Sequence, residues 1–118
     1  GARRPLVYIT EGEMFTIKGT ARSIGEDELV SSAFKTTTVQ LKKGDRLFMY
    51  SDGIHDQFGG DVERPRKFST TRLISHIGDK KLQNATMKEQ FDAIVESVQD
   101  WKGEREQTDD MILVALEF

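Results

Sequence analysis

Asp52 ends the apolar run Leu47-Phe48-Met49-Tyr50-Ser51 and is followed at once by Gly53. Far along the chain, Asp109 and Asp110 stand immediately before a second apolar run, Met111 to Phe118. If the two runs are strands that pair antiparallel, the end of one lies beside the start of the other. Asp52 and Asp109 then share one rim of a sheet. Two bare carboxylates held close repel each other and raise each other's pKa. A divalent cation removes that repulsion, and a chain with no cysteine offers it oxygen ligands, which suit Mg2+ or Mn2+. Gly53, having no Cβ, would let the backbone approach an ion or its water closely. Each feature alone has an ordinary explanation, because Asp-Gly is a turn signal and Asp-Asp a common strand entry. Their joint placement at the ends of two buried strands is what points to a metal site.

The elements that must hold these carboxylates follow from periodicity and punctuation. Pro5 to Ile9 reads as a short strand, Glu11-Gly12-Glu13 as a turn, and Met14 to Lys18 as the hairpin partner. Gly19 to Leu29 is polar and reads as a loop, whereas Phe34 to Leu41, rich in threonine and valine, reads as extended. After the turn Lys42-Lys43-Gly44-Asp45, the run Arg46 to Tyr50 is apolar on both faces, as in a strand deep within a sheet. Gly59 to Lys67 reads as an exposed loop. A short helix from Ser69 places Leu73, Ile74 and Ile77 on one side and closes at Gly78.

Met87, Phe91, Ile94, Val95, Val98 and Trp101 recur at helical spacing, which predicts a second helix with one apolar face serving the core. Thr86 and Glu89 have the spacing of a capping box, and Gly103 stands where a C-terminal cap belongs. Met111 to Phe118 is the last strand, again apolar on both faces. Strands, then two helices, then a strand make an α+β pattern, with the helices packed on a largely antiparallel sheet. The first strand starts within a few residues of Gly1, so the core is expected to need partner strands. Unpaired edges of that kind favour dimerisation or strand exchange.

A chain of 118 residues has room for one domain or part of a larger one. Its 36% hydrophobic and 31% charged residues describe a soluble globular protein. With 17 basic and 20 acidic residues the net charge is -3, which argues against a general nucleic-acid surface. The run Arg64-Pro65-Arg66-Lys67 is too short to reverse that balance. No apolar stretch reaches the roughly 18–20 residues of a membrane span, and no signal-peptide pattern opens the chain. The absence of cysteine excludes disulfides and thiolate metal sites and fits a reducing cytoplasm. With only two histidines, a zinc site would have to lean on carboxylates.

The stretch "MYSDGIHDQFGG", followed at a distance by "WKGEREQTDDMILVAL", resembles the metal-dependent protein serine/threonine phosphatases of the type 2C class. The closer likeness is to their bacterial SpoIIE-type branch, often attached to sensor or receiver domains. Gly44-Asp45, Ser51-Asp52-Gly53 and Asp109-Asp110 match the late motifs of that family in order, and Gly1 to Leu6 and Ile24-Gly25 look like its weaker landmarks. The resemblance implies a β-sandwich fold, with Asp52 and Asp109 as metal ligands and Gly53 and Asp110 in support. It also implies two-metal hydrolysis with Mn2+ or Mg2+, in which water displaces the serine or threonine oxygen without a phosphoenzyme. The implied substrate is a phosphorylated regulatory protein such as an anti-sigma-factor antagonist. In the family, the first half of the domain carries the remaining acidic ligands. Residues 1–118 therefore resemble the C-terminal portion of one phosphatase domain, expected to be inactive alone. A non-catalytic signalling module that keeps the fold as a binding surface is the alternative.

The remaining polar residues divide between chemistry and structure. His55, close behind Asp52, could donate a proton to a leaving group or simply be a loop histidine. His76 falls off the apolar side of its helix and reads as solvated. Asp45 and Asp56 read as turn residues. Arg64, Arg66 and Lys67 could meet a phosphorylated substrate, because arginine forks suit phosphate, or could be a solvated loop. Arg3 and Arg4 carry the same ambiguity.

Overall fold

Strand β1, Leu6–Thr10, folds back on strand β2, Glu13–Ile17, through Glu11 and Gly12, whose φ angles are 51° and 77°. Positive φ at both central positions is the type I′ geometry, whose twist matches that of the strands it joins. This hairpin opens a computed structural model that describes residues 4–20 and 35–118. Strand β3, Arg46–Tyr50, pairs antiparallel with β1 and leads through Ser51 into the single-turn helix α1, Asp52–Asp56. A short hairpin follows, β4 at Phe58–Gly59 and β5 at Arg66–Lys67. Helices α2, Thr70–Ile77, α3, Lys80–Gln83, and α4, Met87–Lys102, come next. Strand β6, Leu113–Glu117, then returns antiparallel to β3 and completes a sheet ordered β2-β1-β3-β6. The fold is α+β with an antiparallel sheet, as the pattern of elements predicts.

Alternation along the strands sorts side chains onto two faces. Val7, Ile9, Phe48 and Tyr50 point to the side where Ile54, Phe68, Leu73, Ile77, Ile94 and Val98 meet them, and all ten are buried. Burying each large side chain there contributes about 1.5–3 kcal/mol. The opposite alternation set includes Leu6, Tyr8, Phe15, Ile17, Leu47, Met49, Val114 and Leu116. Tyr8 and Phe15 stack across strands at 5.2 Å, yet Phe15, Met49 and Leu116 remain 41%, 40% and 46% exposed. Among the described residues, this second face is apolar and open.

Arg46 ties the helices to the covered face. It is 8% exposed, and its Nε donates to Glu117 Oε2 at 2.8 Å. Its Nη1 donates to Gln90 Oε1 at 2.8 Å and to the Leu82 carbonyl at 3.1 Å, while Nη2 reaches the Ala85 carbonyl. Gln90, fully buried, passes the link on by donating to the Ile77 carbonyl at 2.9 Å. The guanidinium thus joins β3, β6, α3, the α3–α4 connection and α4, and Gln90 extends the link to the end of α2.

Several sequence expectations need correction. Phe34 lies outside the described residues, and residues 35–41 form no strand, although threonine and valine favour one. Both edges of β1 are already taken by β2 and β3, and β-propensity counts only where a pleated partner exists. The expected loop at Gly59 to Lys67 is flanked by the β4–β5 pairing, leaving the segment between them as the exposed part. Two helices were expected where four helical segments occur among the described residues, because α1 and α3 are too short to show a period. On α4, Gln90 is buried while Val95 is 36% exposed, so the inward face is rotated toward the Arg46 network. Strand β6 is not buried on both faces, since Val114 and Leu116 belong to the open side. His76 is half-buried and stacks on Phe68, with ring centroids 5.8 Å apart. The Thr86–Glu89 capping box is present as expected, and Gly103 caps α4 at φ 57°.

Arg46→Ala leaves Gln90 and two carbonyls without their donor in a buried setting. The expected loss is about 3–5 kcal/mol of unfolding free energy, read from urea denaturation. A loss below about 1 kcal/mol, the value of a surface ion pair, would show that the network contributes little.

Candidate functional site

The pairing of β3 with β6 sets Tyr50 opposite Leu113, so the end of one strand and the start of the other share one rim. Ser51 closes the seam between them. Its backbone N–H donates to the Ile112 carbonyl at 2.9 Å, and its hydroxyl donates to the Asp110 carbonyl at 3.0 Å. The same hydroxyl accepts from the Ile112 N–H at 2.9 Å. One small side chain therefore fixes the Asp109–Asp110 loop beside the start of α1.

Gly53 is the tightest point of the rim. A Cβ built on it would lie 2.1 Å from the Asp110 carbonyl oxygen and 3.3 Å from that of Asp109. The missing side chain makes room for the backbone of the acidic loop itself, a closer constraint than the approach of an ion or its water. Asp109 and Asp110 are both exposed. Asp109 Oδ1 accepts the N–H of Asp110 at 2.8 Å, and its carbonyl accepts from Gln107 Nε2 at 2.9 Å. The loop is thus held on both sides of Asp109.

Asp52 faces Arg4, whose Nη2 lies 3.0 Å from Oδ2. The hydrogen bond from that guanidinium holds the Asp52 carboxyl below the usual aspartate range, with its charge adding to the effect. Sequence reasoning left Arg4 undecided; the structure sets it against the candidate ligand. Ser51, marked in the sequence only as part of the Ser51-Asp52-Gly53 motif, gains a role in closing the rim, while Gln90, a polar residue at a core position, leaves no sequence signal.

The other candidates are placed as follows. His55 lies edge-on to Tyr50 at 5.9 Å, and its Nδ1 is buried without a hydrogen-bond partner among the described residues. Burial raises the pKa of the neighbouring Tyr50 phenol, whose hydroxyl is likewise unpartnered there. Asp56 pairs with Lys67 at 2.9 Å, and Asp45 accepts the Lys42 N–H at 2.8 Å, both as turn-shaping residues. Arg64 and Arg66 are exposed on the β4–β5 hairpin. Trp101 anchors that hairpin by donating to the Arg66 carbonyl at 3.1 Å, while Arg72 lies over the indole at 4.2 Å. No group of three or more histidine or acidic side chains assembles among the described residues.

The model of the family described as Stage II sporulation protein E (SpoIIE) matches residues 1–118. The chain belongs to the SpoIIE family. Among solved structures, it is similar to the SiaA-PP2C domain of Pseudomonas aeruginosa, with 26% identity and a TM-score of 0.82. That likeness covers 99% of this chain and 44% of the other. The PP2C phosphatase domain of SpoIIE from Bacillus subtilis, solved with a fragment of its regulatory domain, shares the fold at 20% identity and a TM-score of 0.69. There the likeness covers 99% of this chain and 32% of that one. A structure of the phosphatase domain of the same protein gives 25% identity and a TM-score of 0.59, over 98% of this chain and 48% of that one. The chain spans less than half the length of each. Comparison with curated proteins finds no match.

For a SpoIIE-family chain, the rim formed by Ser51, Asp52, Gly53, Asp109 and Asp110 is the natural place to test. Gly53→Ala must push the Asp110 carbonyl away, with an expected loss of about 1–3 kcal/mol in chemical denaturation. Ser51→Ala removes two hydrogen bonds at a rim that water reaches, and should cost only about 1 kcal/mol. Equal stability of Gly53→Ala and the unsubstituted chain would mean that the close approach is not required.

Proposed function

We propose that this chain is the C-terminal portion of a metal-dependent protein serine/threonine phosphatase domain. The observation that carries the reading is the meeting of Asp52 and Asp109 at one rim, within a chain of the SpoIIE family. The donors fit Mn2+ or Mg2+ in kind, since the rim offers carboxylate and carbonyl oxygens and the chain has no cysteine. They cover only part of a ligand set, because no third acidic or histidine group joins them among the described residues. Asp52 and Asp109 would hold the ion, and Gly53 and Asp110 would keep the rim closed around it. When bound, the cation supplies charge neutralisation and acidifies a water at neutral pH. Ser51 and Gly53 hold the backbone of the Asp109–Asp110 loop against the start of α1, and Arg4 offsets the negative charge of Asp52.

The open sheet face supports the half-domain reading. A face bearing Phe15, Met49, Val114 and Leu116 is suited to packing against a second sheet, as in a sandwich. A longer protein would then supply both that sheet and the missing ligands, together with any sensor or receiver domain. Its substrate would be a phosphorylated regulatory protein of the anti-sigma-factor-antagonist kind, in a bacterial cytoplasm. No helix among the described residues is long and apolar enough to cross a membrane. The exposed strand edge and open face also support pairing with a second copy when the first half is lacking. A non-catalytic module keeping this fold would retain the sheet without needing Asp52 and Asp109 together.

Calorimetric titration with Mn2+ tests the metal assignment. Asp52→Asn is expected to weaken binding about tenfold or more in the longer protein, since it removes a charged contact. Turnover of a phosphate ester is expected from the longer protein and not from residues 1–118 alone. Identical heats for Asp52→Asn would remove Asp52 as a ligand, and robust turnover by the isolated chain would sink the half-domain reading.

A further inference from the structure

Gln57 caps the C-terminal end of α1 and is fully buried. Its backbone is fixed on both sides: the N–H donates to the Ile54 carbonyl at 3.4 Å, and the carbonyl accepts from the Phe68 N–H at 2.7 Å. From this mount the side-chain Nε2 donates to two carbonyls, those of Phe58 at 2.9 Å and Glu106 at 3.0 Å. Both neighbours only accept, so the amide turns its NH2 toward them. Its Oε1 is then buried without a partner among the described residues. An apolar side chain would avoid that cost, and a local turn needs only the bond to Phe58. The second bond crosses 49 positions to the strap between α4 and β6.

That strap leaves α4 at Gly103 and carries Asp109 and Asp110 to the start of β6. Upstream it is held to the β4–β5 hairpin. There the Gly60 N–H donates to the Trp101 carbonyl at 2.8 Å, and Arg105 Nη2 donates to the Val62 carbonyl at 3.0 Å. Downstream, Ser51 holds the Asp110 carbonyl and the Ile112 N–H. Gln57 grips the strap between these points, and the next residue, Gln107, passes the hold on by donating to the Asp109 carbonyl at 2.9 Å. The turn of α1 thus meets the strap at both ends, with Gly53 against the Asp109 and Asp110 carbonyls and Gln57 on Glu106. We infer that Gln57 is a positioning residue, which acts through Glu106 and Gln107 to hold Asp109 at the Asp52 end of α1. Neutral carboxamides suit that task. They fix a loop that carries carboxylates without drawing on the charge a cation would need.

The consequence for metal binding rests on the phosphatase reading; the ordering of the loop does not. The test is NMR relaxation of the backbone amides of Thr108, Asp109 and Asp110 in the metal-free longer protein, followed by calorimetric titration with Mn2+. Gln57→Met keeps the length of the side chain and removes both donors. Gln107→Ala removes the second link at an exposed position, where the fold is undisturbed. Ile77→Val, a truncation in the core on α2, controls for loss of stability alone. In Gln57→Met and Gln107→Ala the three order parameters are expected to fall from about 0.85, the rigid value, toward about 0.6, while Ile77→Val leaves them unchanged. Mn2+ affinity should fall about tenfold in the same two variants, as when a group that orients a ligand is removed. Rigid order parameters in folded Gln57→Met overturn the inference, and so does equal loosening in Ile77→Val. If Gln57→Met does not fold, a rigid loop in Gln107→Ala overturns it instead. Should Asp52→Asn leave the Mn2+ heats unchanged, the metal reading fails, yet loosening confined to the two glutamine variants still supports the inference. Should Asp52→Asn weaken Mn2+ binding while Gln57→Met loosens the loop and does not, Gln57 orders the loop without placing Asp109, and the inference fails.

Discussion

The antiparallel pairing of β3 with β6 is the constraint on which the site depends. These strands are far apart in the chain, and only their register brings Asp52 and the Asp109–Asp110 loop to one rim. A slip by one residue would turn Phe48 and Tyr50 out of the core, so the hydrophobic effect guards the register. Arg46 adds a second lock at the far end of the same pair, where its guanidinium meets Glu117. The core is thus what holds two polar strand ends in place, and the rim contributes little stability of its own.

At the rim, close approach is achieved by omission and by one hydroxyl. Gly53 leaves the space that the Asp110 carbonyl fills, and Ser51 satisfies groups on the facing loop. The same geometry explains why Asp52-Gly53 begins a helical turn and not a hairpin turn. Gly53 and Ile54 must pack inward, and a single helical turn buries both while Asp52 stays accessible. Turn chemistry and core packing favour different conformations here, and packing decides.

How much of this was legible in the sequence depends on what kind of signal each feature leaves. The two strands and α4 announce themselves through apolar periodicity, and the adjacency of Asp52 and Asp109 follows once those strands pair. The capping box at Thr86 and Glu89 is local, so it too can be read directly. The extended reading of residues 35–41 failed because side-chain type says nothing about whether a strand edge is free. Gln90 and Arg46 were invisible for the opposite reason: two polar residues distant in sequence become buried only because they satisfy each other. Arg4 carried a charge but no spacing rule, and only the fold sets it beside Asp52.

On the proposed half-domain reading, the sheet's two faces would tie the rim to the rest of a longer protein. One face is closed by helices, and its packing sets the separation of the acidic ends. The other is apolar and open among the described residues. On the proposed reading, whatever packs on that face also carries the remaining ligands. Metal affinity would then rise when the second sheet is in place. On that reading completion of the domain is a condition for chemistry, because Asp52 and Asp109 supply only part of a ligand set among the described residues.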